Sequence, residues 1–311
     1  MESFQPHLTV VSPVYHAESL LDELIERLTQ SLGSLTEHYE IILVEDGGKD
    51  GSWKKIEQHC LKNPKIQGIQ LSRNFGQHAA ITAGLEAAQG EWIIVMDCDL
   101  QDQPEEIPAL YQKAQEGNEI VLASRIQRQD QKHIQYLSKL FYRFLSCLSE
   151  TSYDSTIANF GIYHRTVINP MLQLQNSLRY FPSMVNWVGF QKTTLAVEHA
   201  ERPNRKSSYT LRKKFRLAFD ILLSYSDKPL RLIVAFGASV SVLAFSLAVY
   251  IVYRFLQGKI FVLGYASLAI SIAFFSGVII SVLGILGLYI GKIFESSNSK
   301  PAFLIRKKIN G

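Results

Sequence analysis

The chain has 311 residues, 47% hydrophobic and 19% charged, with a formal net charge of +4 and three cysteines. That length holds one sizeable core plus an appendage. The small charge excess gives no reason to expect nucleic acid, and the odd, widely spaced Cys60, Cys98 and Cys147 show no metal-ligand spacing and argue against a disulfide framework.

The opening residues, M-E-S-F-Q-P-H, lack the basic flank and apolar run of a signal peptide. From there strands and helices alternate. Residues 8–14 form a short apolar run that predicts a strand. Leu20, Leu21, Leu24, Ile25, Leu28 and Leu32 then recur at helical spacing. Further strands are expected at 41–44, 66–71, 92–96 and 120–123, separated by helices at 53–61, 78–88 and 105–116. Apolar strands alternating with helices imply an α/β domain, a mostly parallel sheet covered on both faces. Aromatic, aliphatic and cationic residues at 211–223 suggest a helix lying in a membrane interface, and those at 136–148 either a second such helix or an ordinary core helix.

Residues 232–253 carry no charge and are bracketed by Arg231 and Arg254; a second uncharged stretch, 260–291, lies between Lys259 and Lys292. Each is long enough to cross a bilayer as a helix, the second near 266–290. Basic residues concentrate before the first span and after the second, including Arg306, Lys307 and Lys308. The positive-inside rule therefore places both termini and the soluble domain in the cytoplasm, on a multi-pass protein of the inner membrane. The expected organisation is a catalytic domain at 1–198, a basic juxtamembrane segment at 199–230, two transmembrane helices within 231–291, and a cytosolic tail at 292–311.

Ligands of open parallel sheets bind beyond the carboxyl ends of the strands. The informative polar residues fall there: Pro13 and Tyr15 after the first strand, Glu45 and Asp46 after the second, Arg73 and Asn74 after the third, Asp97 and Asp99 after the fourth, Arg125 after the fifth. Neither a G-x-G-x-x-G turn nor a Walker loop is present. Asp97 and Asp99, two apart, would share one side of an extended backbone. Two such carboxylates repel unless a cation sits between them. A hard divalent ion, Mg²⁺ or Mn²⁺, suits oxygen ligands and typically bridges to substrate phosphates; Gln101 offers another oxygen. Asp102, Glu105 and Glu106 fit a duller role around Pro104 at a helix start.

The segments P-V-Y at 13–15, V-E-D-G-G-K-D-G-S at 44–52, L-S-R-N-F-G at 71–76 and M-D-C-D-L-Q-D-Q-P-E-E at 96–106 resemble family 2 glycosyltransferases. More narrowly, with H-A-E-R at 199–202, K-S-S-Y at 206–209, S-D-K-P-L-R at 226–231 and L-G-L-Y-I-G-K-I-F-E at 286–295, they resemble the two-helix bacterial branch of the polyprenyl-phosphate glycosyltransferases. The resemblance implies a GT-A fold, a nucleotide-diphosphate sugar donor, a divalent metal and inversion at the anomeric carbon. It implies donor binding by Pro13, Tyr15 and Asp46, with Asp97 near donor and metal and Asp99 and Gln101 as metal ligands. His16 and Ala17 depart from the common Asn-Glu after the tyrosine, Glu18 standing one position late as a substitute; Gly48 replaces the usual serine.

Relatives often carry aspartate where Asn159 stands, and an amide is no general base. A hydroxyl acceptor needs one; a phosphate monoester, with its second pKa near ~6, is already a dianionic nucleophile. Asn159 therefore favours a phosphate acceptor, though it fits equally a strand residue with a satisfied amide; the resemblance implies that the acceptor is a polyprenyl phosphate, undecaprenyl phosphate, and Arg125, Arg202, Arg205 and Lys206 are the candidates to grip it through charge-assisted hydrogen bonds. The expected activity is inverting sugar transfer to that lipid for cell-surface glycans. The alternatives are transfer to a glycan hydroxyl and a non-catalytic nucleotide-sugar-binding scaffold. A homo-oligomer is compatible with the sequence.

Overall fold

The structure, a computed structural model, describes residues 6–125, 157–174, 179–197, 228–257, 264–297 and 301–311. Its soluble part is one sheet of eight strands: β1 Leu8–Val14, β2 Tyr39–Glu45, β3 Ile66–Leu71, β4 Trp92–Val95, β5 Ile120–Arg125, β6 Ile157–His164, β7 Lys192–Val197 and β8 Ile305–Ile309. The spatial order is β7-β5-β6-β4-β1-β2-β3-β8. β1 pairs in parallel with β2 and β4, β2 with β3, and β5 with β7, whereas β6 runs against β4 and β5, and β8 against β3.

The helices are α1 Leu21–Gly33, α2 Ser52–Lys62, α3 Gln77–Ala87, α4 Ile107–Gln115, α5 Arg165–Gln173, α6 Phe181–Trp187, α7 Lys228–Leu256 and α8 Tyr265–Ser297. All seven residues of β1 and of β2 are buried, as a strand needs when helices cover both its faces. On one face Val10, Ile41, Leu43 and Ile94 meet Leu21, Leu24 and Leu28 of α1, Ile56 of α2 and Leu110 of α4. On the other, Val11, Ile42, Ile69 and Val95 meet Ala80, Ile81 and Leu85 of α3, Val167 and Met171 of α5, and Met184 of α6. The strands expected at 8–14 and 66–71 have those bounds; the others differ by a residue or two at an end. The helix expected from 105 begins instead as a 3-10 turn, Pro104–Glu106. The helices expected at 136–148 and 211–223 lie outside the described residues.

Several features were not foreseen, β7, α5 and α6 among them. β6 enters the sheet antiparallel between β4 and β5. The tail expected at 292–311 returns to the sheet as β8, with Gln70 opposite Lys307 and Gly68 opposite Ile309. Its side chains add a Lys307–Glu57 ion pair at 2.6 Å, while the Asn310 amide donates to the carbonyls of Cys60 and Ile66 at 2.6 and 3.0 Å. Helices α7 and α8, of 29 and 33 residues, measure about 43 and 50 Å at ~1.5 Å per residue. They overrun the spans expected at 232–253 and 266–290 because each continues into its polar flanks. Among the described residues one window, Phe274–Gly291, with hydropathy 2.2, is long and apolar enough to cross a membrane.

Candidate active site

The carboxyl ends of β1 to β5 form one rim, and the acid pair stands at its centre. The chain leaves β4 after Val95 and turns through Cys98 and Asp99, so the backbone from 97 to 99 is not extended as expected. Leu100 takes φ +58° to complete the turn, a left-handed conformation that costs a side-chain-bearing residue about 1–2 kcal/mol. Asp97, Asp99 and Gln101 are all half-buried on this turn. The Gln77 amide at the start of α3 donates to Asp97 Oδ1 at 2.6 Å, and the Gln101 backbone N–H to Asp99 Oδ1 at 3.2 Å. Cys98, between the acids, accepts a hydrogen bond from the Tyr15 backbone, and burial pushes its thiol up to about 12. It ties two rim loops together as an inert thiol.

The donor-side residues sort into two kinds. Tyr15 is half exposed, its ring edge-on to His16 at 4.3 Å, and His16 itself has φ +51°. Both lie in the loop after β1, which is strained at His16, a common property of ligand sites. Pro13 is buried within β1 opposite Val44 of β2. Glu18 serves a latch: its carboxylate accepts from Gly51 N–H at 2.9 Å while its own N–H donates to Asp50 at 3.2 Å. The Ser52 hydroxyl closes the same latch, accepting from Ala17 N–H and donating to Asp50 at 2.7 Å.

Asp46 serves a brace. It is 2% exposed, and its two oxygens accept from the backbone N–H groups of Phe75 and Gly76 at 2.7 and 2.9 Å. The Asn74 side-chain amide donates a hydrogen bond to the Asp46 backbone carbonyl at 3.2 Å. Burial raises the Asp46 carboxyl above its ordinary range, and those two N–H donors pull it back. Neighbouring Glu45, raised by burial as well, accepts from Gly48 N–H and leaves Oε2 without a partner. Arg73 is exposed, with its guanidinium over the Phe75 ring at 4.1 Å. The segment Asn74–Gln77 thus touches the carboxylates that end β2 and β4, joining the donor-side and acid-pair loops. Sequence reading missed Gln77, taken only as the residue before a helix. Its position one residue after a glycine, at a strand-to-helix turn on the rim, was the available signal.

On the other side of the acid pair, Asn159 stands two residues rimward of Gly161, which pairs with Val95. Asp97 lies two residues past Val95 in the loop after β4, so Asn159 sits at the rim end of the strand next to the one that leads to the acid pair. Arg125 ends β5, opposite Val197 of β7. Arg202, Arg205 and Lys206 lie outside the described residues. Glu105 is excluded from the site by its paired bonds to Arg27, at 2.8 and 2.7 Å, and Asp102 is buried.

Half-buried carboxylates on one turn, with a neutral amide beside them, fit a hard divalent cation held by one or two carboxylates. Among the described residues no cluster of three or more His, Cys, Asp or Glu side chains could hold a metal by itself, so substrate phosphates would have to complete its shell. A mostly parallel sheet with acids on its carboxyl rim agrees with the glycosyltransferase class that the sequence resembles. The chain belongs to glycosyl transferase family 2, whose pattern matches residues 9–172. It is 33% identical over 300 residues to an uncharacterized glycosyltransferase of Bacillus subtilis (strain 168), YkcC, covering 96% of this chain and 93% of that one. It is 35% identical over 305 residues to the undecaprenyl-phosphate 4-deoxy-4-formamido-L-arabinose transferase of Proteus mirabilis (strain HI4320), covering 97% and 94%. Among solved structures, the mannosyltransferase PcManGT of Pyrobaculum calidifontis, in complex with GDP-Man and Mn²⁺, aligns at 14% identity with a TM-score of 0.47, covering 96% and 89%.

Proposed function

We propose that this glycosyltransferase moves a sugar from a nucleotide-diphosphate donor to undecaprenyl phosphate at the cytoplasmic face of the membrane. The observation that carries the transfer is the placement of Asp97 and Asp99 on one rim turn, braced by Gln77 to the loop that Asp46 organises. The name of the Proteus relative, similar over nearly the full chain, supports the lipid acceptor. The return of the chain to the sheet as β8 supports two membrane crossings: a chain that leaves and re-enters one sheet crosses an even number of times.

In this reading Pro13, Tyr15, Glu18, Asp46 and Arg73 shape the donor pocket, Glu18 and Asp46 through the loops they hold. Asp97, Asp99 and Gln101 hold Mg²⁺ or Mn²⁺, which when bound neutralises the diphosphate leaving group. Arg125, Arg202, Arg205 and Lys206 hold the acceptor phosphate. A phosphate oxygen bonds to the anomeric carbon from the face opposite the diphosphate. The bond from that carbon to the diphosphate oxygen breaks, and the nucleoside diphosphate leaves with the electron pair. No proton is removed from the acceptor, so Asn159 at the rim is no handicap.

The test is a set of labelled nucleotide sugars incubated with purified protein and undecaprenyl phosphate, with and without Mn²⁺, followed by extraction into organic solvent. One donor should give a lipid-linked, Mn²⁺-dependent product, and Asp99→Ala should abolish it with the fold intact. Full turnover by Asp99→Ala would remove the acid pair from the chemistry. Product on a glycan hydroxyl with none on the lipid would overturn the acceptor.

A further inference from the structure

β8 lies along the outer edge of β3, the strand that leads into the Arg73 loop. Ile309 stands opposite Gly68, Lys307 opposite Gln70 and Ile305 opposite Leu71; the register shifts between the last two pairs, so that Arg306 forms a bulge. A bulge bends its strand, here at the step before β3 gives way to its loop. One residue on, the Ser72 N–H donates to the Leu304 carbonyl at 2.8 Å, and Phe303 packs on the core face that holds α3, as Phe75 does.

Two routes run from this strand to the loop after β2. By the first, residues 72–74 are caught between Leu304 on the β8 side and the Gly47 turn on the β2 side, where a Cβ on Gly47 would overlap the Arg73 carbonyl carbon and the Asn74 nitrogen. Phe75 and Gly76, next along, supply the two N–H donors of the Asp46 carboxylate. By the second, the Gln70 side chain hydrogen-bonds Glu45, which accepts in turn from the Gly48 N–H. At its base end β8 is held independently: the Asn310 amide donates to the carbonyls of Cys60 and Ile66, and Lys307 pairs with Glu57 of α2. The strand is thus anchored on α2 and the start of β3, while its rim end bears on the loop.

We infer that β8 is a positioning element of the donor site: it holds residues 72–74 against the Gly47 turn, so that the loops carrying Arg73 and Asp46 keep the spacing a nucleoside diphosphate needs. The inference rests on the donor reading above and goes beyond it, because the residues of β8 act through Ser72 and Gln70 and not by touching the donor. It also separates the two substrates. β6, β4, β1, β2 and β3 lie between β8 and the strand that ends in Arg125, so loosening β8 changes the donor site and leaves the acceptor side as it was.

Two full-length variants loosen β8 from opposite ends: Phe303→Ala at the rim and Asn310→Ala at the base. Asn310→Ala, the milder change, decides where Phe303→Ala does not fold. Ile168→Ala, a core truncation in α5, is the control for a general loss of stability, followed by melting temperature. Each is titrated calorimetrically with uridine, guanosine, cytidine and adenosine diphosphates in the presence of Mn²⁺. The diphosphate that wild type binds most tightly should bind the β8 variants about tenfold more weakly, ~1.4 kcal/mol, and Ile168→Ala as tightly as wild type. In the transfer assay the donor KM should rise by the same factor, with kcat and the KM for undecaprenyl phosphate unmoved. Unchanged binding by a folded β8 variant, or an equal loss in Ile168→Ala, would overturn the inference and leave the donor reading standing. Wild type that binds none of these diphosphates would overturn the donor reading, and this inference with it.

Discussion

His78 follows Gln77 in α3, with its ring edge-on to Tyr180 at 4.7 Å, and its buried Nδ1 has no partner. Burial lowers its pKa from 6.5 to about 4. The unfolded chain therefore binds a proton between those values that the folded protein refuses. Stability is fully present above pH 6.5 and is lost as pH falls toward 4, by about 3 kcal/mol for a shift of this size. His78→Phe keeps a ring of similar bulk and removes the proton site. Melting temperature against pH should fall less steeply for His78→Phe than for the wild type across this window; parallel curves would show that another group dominates. Other residues changed meaning once placed. Glu18 and Asp46, read as donor ligands by resemblance, spend their carboxylates on backbone N–H groups. Such bonds to distant loops have no one-dimensional signature, whereas two acids at the end of an apolar run do.

At the scale of elements, the rim depends on how closely the loops after β2 and β3 approach. Gly47 has φ +66°, and a Cβ there would overlap the Arg73 carbonyl carbon and the Asn74 nitrogen. Gly47→Ala combines a left-handed alanine, about 1 kcal/mol or more, with overpacking of about 1–3 kcal/mol. It should raise the donor KM far more than Ser19→Ala, a change at an exposed position in the loop after β1. An unchanged KM would mean that the brace does not shape the donor site. The strands themselves were legible because the central parallel strands are short and mostly apolar, with only isolated polar residues such as Thr9, Ser12 and Glu40. β6 was not: I-A-N-F-G-I-Y-H is interrupted by Asn159 and Gly161 and follows a long intervening segment. Its insertion between β4 and β5 is a pairing choice made by the whole sheet. That choice put Asn159 at the rim end of the strand next to β4.

At the scale of the molecule, β8 closes the chain onto its own sheet, so α7 and α8 begin and end on one side of any membrane they cross. A cysteine in the 258–263 connection should react with a membrane-impermeant reagent from the face opposite to that which labels Ser72→Cys. Labelling of both from the same face would reduce the hairpin to a surface-lying pair. The two uncharged stretches were visible in the sequence because a bilayer demands length and apolarity without interruption. The strand I-R-K-K-I was not, since three cations in five residues read as a solvated tail. Only an exposed sheet edge at β3, with Glu57 within reach of Lys307, makes that segment a strand.

Sequence by itself indicated the class of the fold, the polar rim, the acid pair on it and the two long uncharged stretches, because each follows from local periodicity or from a dense motif. Tertiary structure decided that Glu18 and Asp46 hold loops, where β6 and β8 enter the sheet, and that Gln77 hydrogen-bonds Asp97. Those outcomes depend on hydrogen bonds and strand pairings between segments tens to hundreds of residues apart, and nothing local to either partner records them.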